Sequence, residues 1–431
     1  MWLLMILSSL LSQDIEFTVD EALRVEYIML DIVARDKSGN LVTDLQLSDF
    51  EIRDQGRAVQ PDVFQILDYR TGKALNRDGI ELDLPPREFI LAIDTESARY
   101  EEGLETFAHL KAFVRGLDRD YPFKIKIISL ERDSLKPEFV NNSSQALEEL
   151  KELEERFVRF NKPYTPPDSE THGDMLLFGG SNTVDLSVRG DSDFSQLNET
   201  VNHLGQLEKA FIECERRFGR AFGECIYDTL MAFMFQQENR SQRIFGELEK
   251  LAYKFEALEG MKTLLFVSAG FAFNQNTTPY ELAALYMGRS PNDQSLDQPG
   301  KLYLEDLFRR VAHACTKNRV VFHTFNVLDT DSGFQHSMSR GTRDHRSFRI
   351  YKGYAFEMSE GLRGLAEESG GRYFGKQDLG PALVEAMEGD TFFYVIGYPA
   401  PEGKPGKFHR IKVKAKTKGI KLSHRKGYFG R

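Results

Sequence analysis

Cysteine is scarce in this chain of 431 residues, which contains only Cys214, Cys225 and Cys315. Three is an odd number and the spacing matches no zinc-binding pattern, so neither a disulfide framework nor a structural metal site is indicated. Free thiols buried in the core are the favoured interpretation. The alternative is a bridge between Cys214 and Cys225, which would need an oxidising compartment.

The chain also lacks an excess of positive charge. Its formal net charge is −10, and no long basic run occurs. This balance argues against nucleic acid or an anionic membrane surface as the main partner. Cations or basic protein surfaces fit better.

Long apolar runs are missing as well. After the N-terminus, no stretch reaches the roughly 18 consecutive apolar residues of a transmembrane helix. The first twelve residues, MWLLMILSSLLS, are apolar and are followed by the polar QDIEF. Residues 1–12 are typical of the apolar part of a secretory signal peptide, which predicts a secreted or periplasmic protein. A buried first strand or helix is the alternative.

What is present is the composition of a globular protein, with 41% hydrophobic and 28% charged residues. Residues 15–70 and 390–431 alternate in the manner of β-strands, whereas 86–389 alternates apolar strands with amphipathic helices. We therefore expect an α/β fold with a doubly wound, mostly parallel sheet. The two chain ends are expected to pair into an antiparallel β-sandwich that flanks it, because each end is too small to hold a core alone.

Several local patterns refine this picture. Helical periodicity predicts separate helices at about 195–218, 225–237 and 241–258. Polar, Gly-rich and Pro-rich composition predicts insertions near 160–195 and 330–353. The lysine-alternating segment KVKAKTKG predicts a strand with one wet face and a charged edge that discourages aggregation.

Three segments carry a family resemblance: VARDKSGNLVTDLQLSDFEIRDQGRAVQPDVFQ, GMKTLLFVSAG and GKFHRIKVKAKTKGIKLSHRKGYF. Together they resemble the VWFA-related domain proteins described chiefly from acidobacteria. These are secreted chains with a von Willebrand factor type A (VWA) domain between β-rich flanks. The resemblance implies a doubly wound α/β domain that binds its ligand beyond the carboxyl ends of the strands.

In metal-binding VWA domains, that rim holds a divalent cation, usually magnesium, through an Asp-x-Ser-x-Ser loop, a Thr and a further Asp. The resemblance places Asp94 at the first aspartate, but Glu96 and Ala98 stand at the two serine positions. Glu224 stands at the threonine position and Ala269 at the last aspartate. One customary ligand of five remains.

Two interpretations of this rim are open. In the first, the metal site is lost, and Asp94 caps the following helix or accepts hydrogen bonds from loop amides. In the second, Asp94, Glu96 and Glu224 form a more anionic site that takes calcium or manganese through carboxylates alone. No other cofactor is expected.

The function implied by the resemblance is non-enzymatic binding or adhesion, with a protein or a cell-envelope component as the partner. Binding would use loops near 94–100, 222–228 and 268–276 together with the insertions. A structural subunit of an envelope assembly is one alternative. A metal-dependent hydrolase using Asp94, Glu96 and Glu224 is another, but no base, nucleophile or histidine ligand lies beside them in the sequence, so no catalytic residue is predicted.

Overall fold

A computed structural model describes residues 27–98, 100–117, 123–130, 139–161, 204–219, 222–255, 261–273, 277–288, 304–327, 345–375, 378–401 and 407–430. The expected signal segment, 1–12, lies outside these ranges, as does nearly all of the insertion at 160–195. No helix in the described ranges is both long and apolar enough to cross a bilayer.

The elements in chain order are as follows. The strands are β1 (Tyr27–Arg35), β2 (Phe50–Asp54), β3 (Arg57–Ala58), β4 (Val63–Asp68), β5 (Lys73–Asn76), β6 (Glu81–Asp83), β7 (Arg87–Ile93), β8 (Phe123–Ser129), β9 (Lys262–Ser268), β10 (Val320–Asn326), β11 (Tyr373–Phe374), β12 (Phe392–Pro399), β13 (Phe408–Ala415), β14 (Lys421–Ser423) and β15 (Gly427–Phe429). The α-helices are α1 (Tyr100–Arg115), α2 (Ser143–Asn161), α3 (Leu204–Phe218), α4 (Phe222–Lys254), α5 (Thr278–Tyr286), α6 (Glu305–Asn318), α7 (His345–Ser369) and α8 (Leu379–Gly389).

A five-stranded sheet in the order β11-β10-β9-β7-β8 forms the centre of the α/β part. All neighbouring strands in it run parallel. One face packs against α1, α2 and α8, and the other against α4, α6 and α7. Burial on both faces explains why β7 and β9 are almost wholly apolar instead of alternating. The predicted mixed α/β architecture with a parallel sheet is confirmed.

The two antiparallel sheets combine strands from both ends of the chain. One has the order β14-β1-β12-β4-β5-β6 and the other the order β15-β13-β2-β3. Inward-facing side chains of the two sheets belong to one buried cluster, which includes Ile32, Ile52, Tyr394 and Ile411. The central strands β1, β2, β12 and β13 contribute alternate residues to this cluster. The other face of β12 is buried too, because Phe393 and Val395 pack with Tyr69 and Met261 in a second cluster.

A buried ionic network lies at the base of the parallel sheet, where β7 begins. Arg87 donates hydrogen bonds to the carbonyl of Met261 and to the hydroxyl of Thr263. The Thr263 hydroxyl donates to Asp390 Oδ2 at 2.6 Å, and His323 Nε2 lies 3.0 Å from the same oxygen. Burial raises the pKa of Asp390, but His323 and Arg87 outweigh that effect and bring the pKa down to about 2. This network joins the sheet to the segment that leads into β12.

Two boundary predictions are wrong. The helices predicted at 225–237 and 241–258 are one continuous helix, α4, because nothing between Gln237 and Ser241 breaks a helix. The insertion predicted at 330–353 extends too far, since α7 begins at His345 and continues to Ser369. Its polar first turns hide the helical period in the sequence.

Candidate functional site

Asp94 lies immediately after β7, at the carboxyl end of the parallel sheet, as the sequence predicts. It is 4% exposed, so its carboxylate is shielded from water. Its Oδ2 atom accepts a hydrogen bond from the hydroxyl of Ser268 at 2.6 Å and one from Arg240 Nη2 at 2.9 Å. The aspartate is therefore held by an internal cation and a hydroxyl.

Two serines form hydrogen bonds that join two segments, the turn after Asp94 and the end of β9. The Ser97 hydroxyl donates to the carbonyl of Asp94 at 3.0 Å and accepts from the amide of Ala269 at 2.8 Å. The Ser268 hydroxyl also accepts from the amide of Gly270 at 3.0 Å. Both serines have no solvent exposure. These bonds satisfy buried polar groups that would otherwise destabilise the rim.

Arg240 reaches the rim from the middle of α4. Its Nη2 also donates to the carbonyl of Gly270 at 3.0 Å. The residue is 7% exposed and lies on the buried face of α4, between Gln237 and Ile244. A buried guanidinium needs an anion nearby, because desolvating an unpaired charge is costly. Asp94 is that anion, since its Oδ2 lies 2.9 Å from Arg240 Nη2.

The other two carboxylates of the predicted metal site do not meet Asp94. Glu96 is exposed and forms an ion pair with Arg243, one turn further along α4. Glu224 is exposed in the first turn of α4. It precedes Arg240 by sixteen residues, which corresponds to about 24 Å along a helix. Nowhere in the described ranges do three His, Cys, Asp or Glu side chains form a group that could hold a metal ion.

Helix α7 packs against the loop that follows β9, at the carboxyl end of the parallel sheet. The amide of Phe271 donates to the carbonyl of Met358 at 3.0 Å. A Cβ atom on Gly361 would lie 2.3 Å from the Phe271 ring, and one on Gly270 would lie 2.5 Å from the Met358 carbonyl oxygen. Glycine is therefore required for this approach. The loop near 268–276, which the sequence predicts to take part in binding, is a packed contact in its described part, 268–273.

Beyond the rim, α3, the N-terminal half of α4, α5 and α7 form a helical cap with its own apolar core. Within it, Glu357 accepts hydrogen bonds from the hydroxyls of Thr277 and Thr278 at 2.6 and 2.7 Å. Cys214 and Cys225 form a disulfide that joins α3 to α4, with Cα atoms 5.7 Å apart. The free-thiol interpretation is wrong for this pair, because two adjacent antiparallel helices bring the cysteines together. Cys315 is a free, buried thiol.

The outer face of α4 in this cap carries an exposed apolar row. Tyr227, Met231 and Phe235 follow one another at four-residue intervals and are 38%, 36% and 67% exposed. Residues four apart lie on one face of a helix, so the three side chains form a continuous stripe. We call these three residues the α4 stripe. Glu224 and Asp228 lie beside it and are exposed.

Comparisons with family models, with curated proteins and with solved structures find no match to this chain. The site therefore has to be interpreted from its own geometry. The sequence predicts the position of Asp94 but misses Arg240, Ser97 and Ser268. The available signal is Arg240 itself, a charged residue at a buried position of the helix, where it lies beside the buried polar residues Gln237 and Ser241.

Proposed function

We propose that the protein is a secreted or periplasmic, non-enzymatic binding protein that contacts a protein partner through the α4 stripe. The observation that carries this proposal is the exposed row of Tyr227, Met231 and Phe235 on a rigid, disulfide-linked helix pair. Aromatic and methionine side chains are enriched at protein interfaces, and contiguous apolar surface that faces water marks interaction sites. The α/β core and its helical cap would then act as the scaffold for this helix.

Two further observations support parts of the proposal. The Cys214–Cys225 disulfide fits an oxidising compartment outside the cytoplasm. The internal Arg240–Asp94 pair supports metal-independent recognition, since the rim carboxylate already has a positive partner. A VWA-like identity for the core rests on the resemblance alone.

The stripe is best tested by site-specific photo-crosslinking in the intact protein. A photoreactive phenylalanine analogue would replace Phe235, and the matched control would carry it at Phe356, which is 57% exposed on α7. We expect a discrete adduct with one envelope protein from position 235 only. The substitution Met231→Ser should remove it without changing the circular dichroism spectrum, because the side chain is exposed.

The outcomes separate the proposal from its alternatives. Equal labelling from both positions, or none from position 235, would contradict a specific contact at the stripe. An adduct with twice the mass of the chain would favour the structural-subunit alternative, in which the partner is a second copy.

A further inference from the structure

The outer face of the four-stranded sheet carries a second exposed surface. It is cationic, whereas the α4 stripe is apolar. A depression of about 480 Å³ is lined by four cationic side chains and one carboxylate, Glu51. The cations are Arg53 on β2 and Arg410, Lys412 and Lys414 on β13. We call these four residues the basic sheet face.

The pairing of these strands places like charges opposite each other. Lys412 is in register with Arg53, whereas Lys414 faces Glu51. Glu51 forms an ion pair with Arg53 at 2.7 Å. In the described part of the chain, Arg410, Lys412 and Lys414 have no carboxylate within ion-pair distance. Directly opposed like charges such as Arg53 and Lys412 destabilise a sheet, and the one carboxylate here, Glu51, is shared between Arg53 and Lys414.

Protection of a sheet edge accounts for only part of this positive charge. The sequence predicts a charged edge for the KVKAKTKG strand, and Lys412 and Lys414 lie where β13 pairs with β2 alone. Arg410, in contrast, lies where β13 also pairs with β15. General solubility does not account for the rest, because the chain as a whole has a net charge of −10, and here four cations line one depression.

We propose that the basic sheet face binds an acidic polypeptide segment in extended conformation. Arg410, Lys412 and Lys414 project from alternate positions of β13 and therefore repeat about every 6.8 Å. An extended peptide with Asp or Glu at every second residue repeats its carboxylates at the same interval. Such a peptide in the depression would supply carboxylates to four cations that have only Glu51 among them.

The shape of the surface distinguishes this ligand from a lipid bilayer. A flat membrane would not fill the depression, and it would place anionic headgroups near the Glu51 carboxylate. A single extended chain can enter the depression and pass beside Glu51. The test therefore has to distinguish binding of an acidic peptide from binding of anionic vesicles.

The probe is a fluorescein-labelled peptide of about ten residues that alternates Glu and Thr, long enough to cover the row of cations. Binding would be measured by fluorescence anisotropy at low and at high salt. We expect saturable binding by the intact protein and at least a tenfold weaker affinity at high salt. The variant Arg410→Glu/Lys412→Glu should lose at least tenfold in affinity. It should fold, because Glu at position 412 would face Arg53 as an opposite charge.

The matched control is Lys151→Glu/Arg156→Glu, which makes the same change in net charge on exposed positions of α2. It should bind the peptide with an affinity close to that of the wild type. The proposal is overturned if the peptide does not bind at low salt or if both double variants lose affinity equally. It is also overturned if phosphatidylglycerol vesicles bind and the peptide does not.

Discussion

The buried pair Arg240 and Asp94 provides the most direct test of how the rim is built. Their atoms lie 2.9 Å apart, and both side chains are under 10% exposed. At an effective dielectric constant of about 20, this separation corresponds to about 6 kcal/mol of Coulomb attraction. Desolvation offsets part of that, but removing one partner leaves the other charge buried and unpaired, which typically costs about 3–5 kcal/mol.

We expect Arg240→Met and Asp94→Asn each to lower the free energy of unfolding by about 3–5 kcal/mol. Methionine keeps much of the apolar stem of arginine, so the loss reports the charge more than the packing. The double variant removes both charges together. It should lose clearly less than the sum of the single variants, with a coupling energy of about 2 kcal/mol or more. Urea unfolding followed by far-UV circular dichroism measures all four proteins.

The control lies one turn away. Arg243 and Glu96 form an ion pair whose side chains are 50% and 42% exposed. Solvent screening limits such pairs, so Arg243→Met should cost less than about 1 kcal/mol. If Arg240→Met costs no more than Arg243→Met, the buried pair does not stabilise the rim and the reasoning fails.

The same wild-type protein can be titrated with Mg²⁺, Ca²⁺ and Mn²⁺ in a calorimeter. We expect no saturable heat, because Arg240 already neutralises Asp94 and Glu224 lies far along α4. Saturable heat that disappears in Asp94→Ala/Glu224→Ala would restore the metal-binding interpretation.

Three further predictions concern the disulfide, pH and close packing. Replacing Cys214 and Cys225 by serine should lower the free energy of unfolding by about 3 kcal/mol, as expected for a short closed loop. Thiol titration of the unreduced, unfolded wild type should find one free thiol. Three free thiols would contradict the bridge. The pKa of Asp390 is about 2 in the fold against 3.8 in the unfolded chain. The carboxylate therefore stabilises the fold above pH 4 by about 2 kcal/mol, and this stability is lost as the pH falls from 4 to 2. Urea unfolding of Asp390→Asn should lack this loss, and an unchanged pH profile would show that the network is not responsible. Gly361→Ala should destabilise the protein by about 1–3 kcal/mol, because the added methyl group would clash with the Phe271 ring. The control is Gly246→Ala on α4, whose methyl group would meet nothing within 4 Å. It should stabilise the protein by about 1 kcal/mol. Equal effects in thermal unfolding would contradict the packing at the rim.

The parallel sheet could be predicted from the sequence because its strands are buried on both faces. Residues 89–93 form an apolar run that ends at a polar turn, and this pattern has few other physical explanations. The pairing partners of short strands could not be predicted in this way. The two-residue strand Tyr373–Phe374 and the order of β13 within its sheet depend on tertiary contacts that no local pattern records.

The rim shows why the candidate site was only partly predictable. Asp94 is marked by its place at a strand end, but its partner Arg240 is distant in sequence and lies in a segment that periodicity assigns to a break between helices. A charged residue inside an apolar helical face can mean either an interrupted helix or a buried ion pair. Only the three-dimensional neighbour decides between them.

The position of Arg240 also links the rim to the proposed binding surface. Phe235, the last residue of the α4 stripe, precedes Arg240 by five residues, or about 8 Å along the helix. Helix α4, which contributes Arg240 to the rim, therefore also presents the stripe, and the ion pair with Asp94 joins this helix to the sheet. In a metal-dependent rim, a partner's carboxylate would complete the coordination of the cation. Here the positive charge is an internal arginine already bound to Asp94, so the recognition that we propose for this helix would depend on apolar contact.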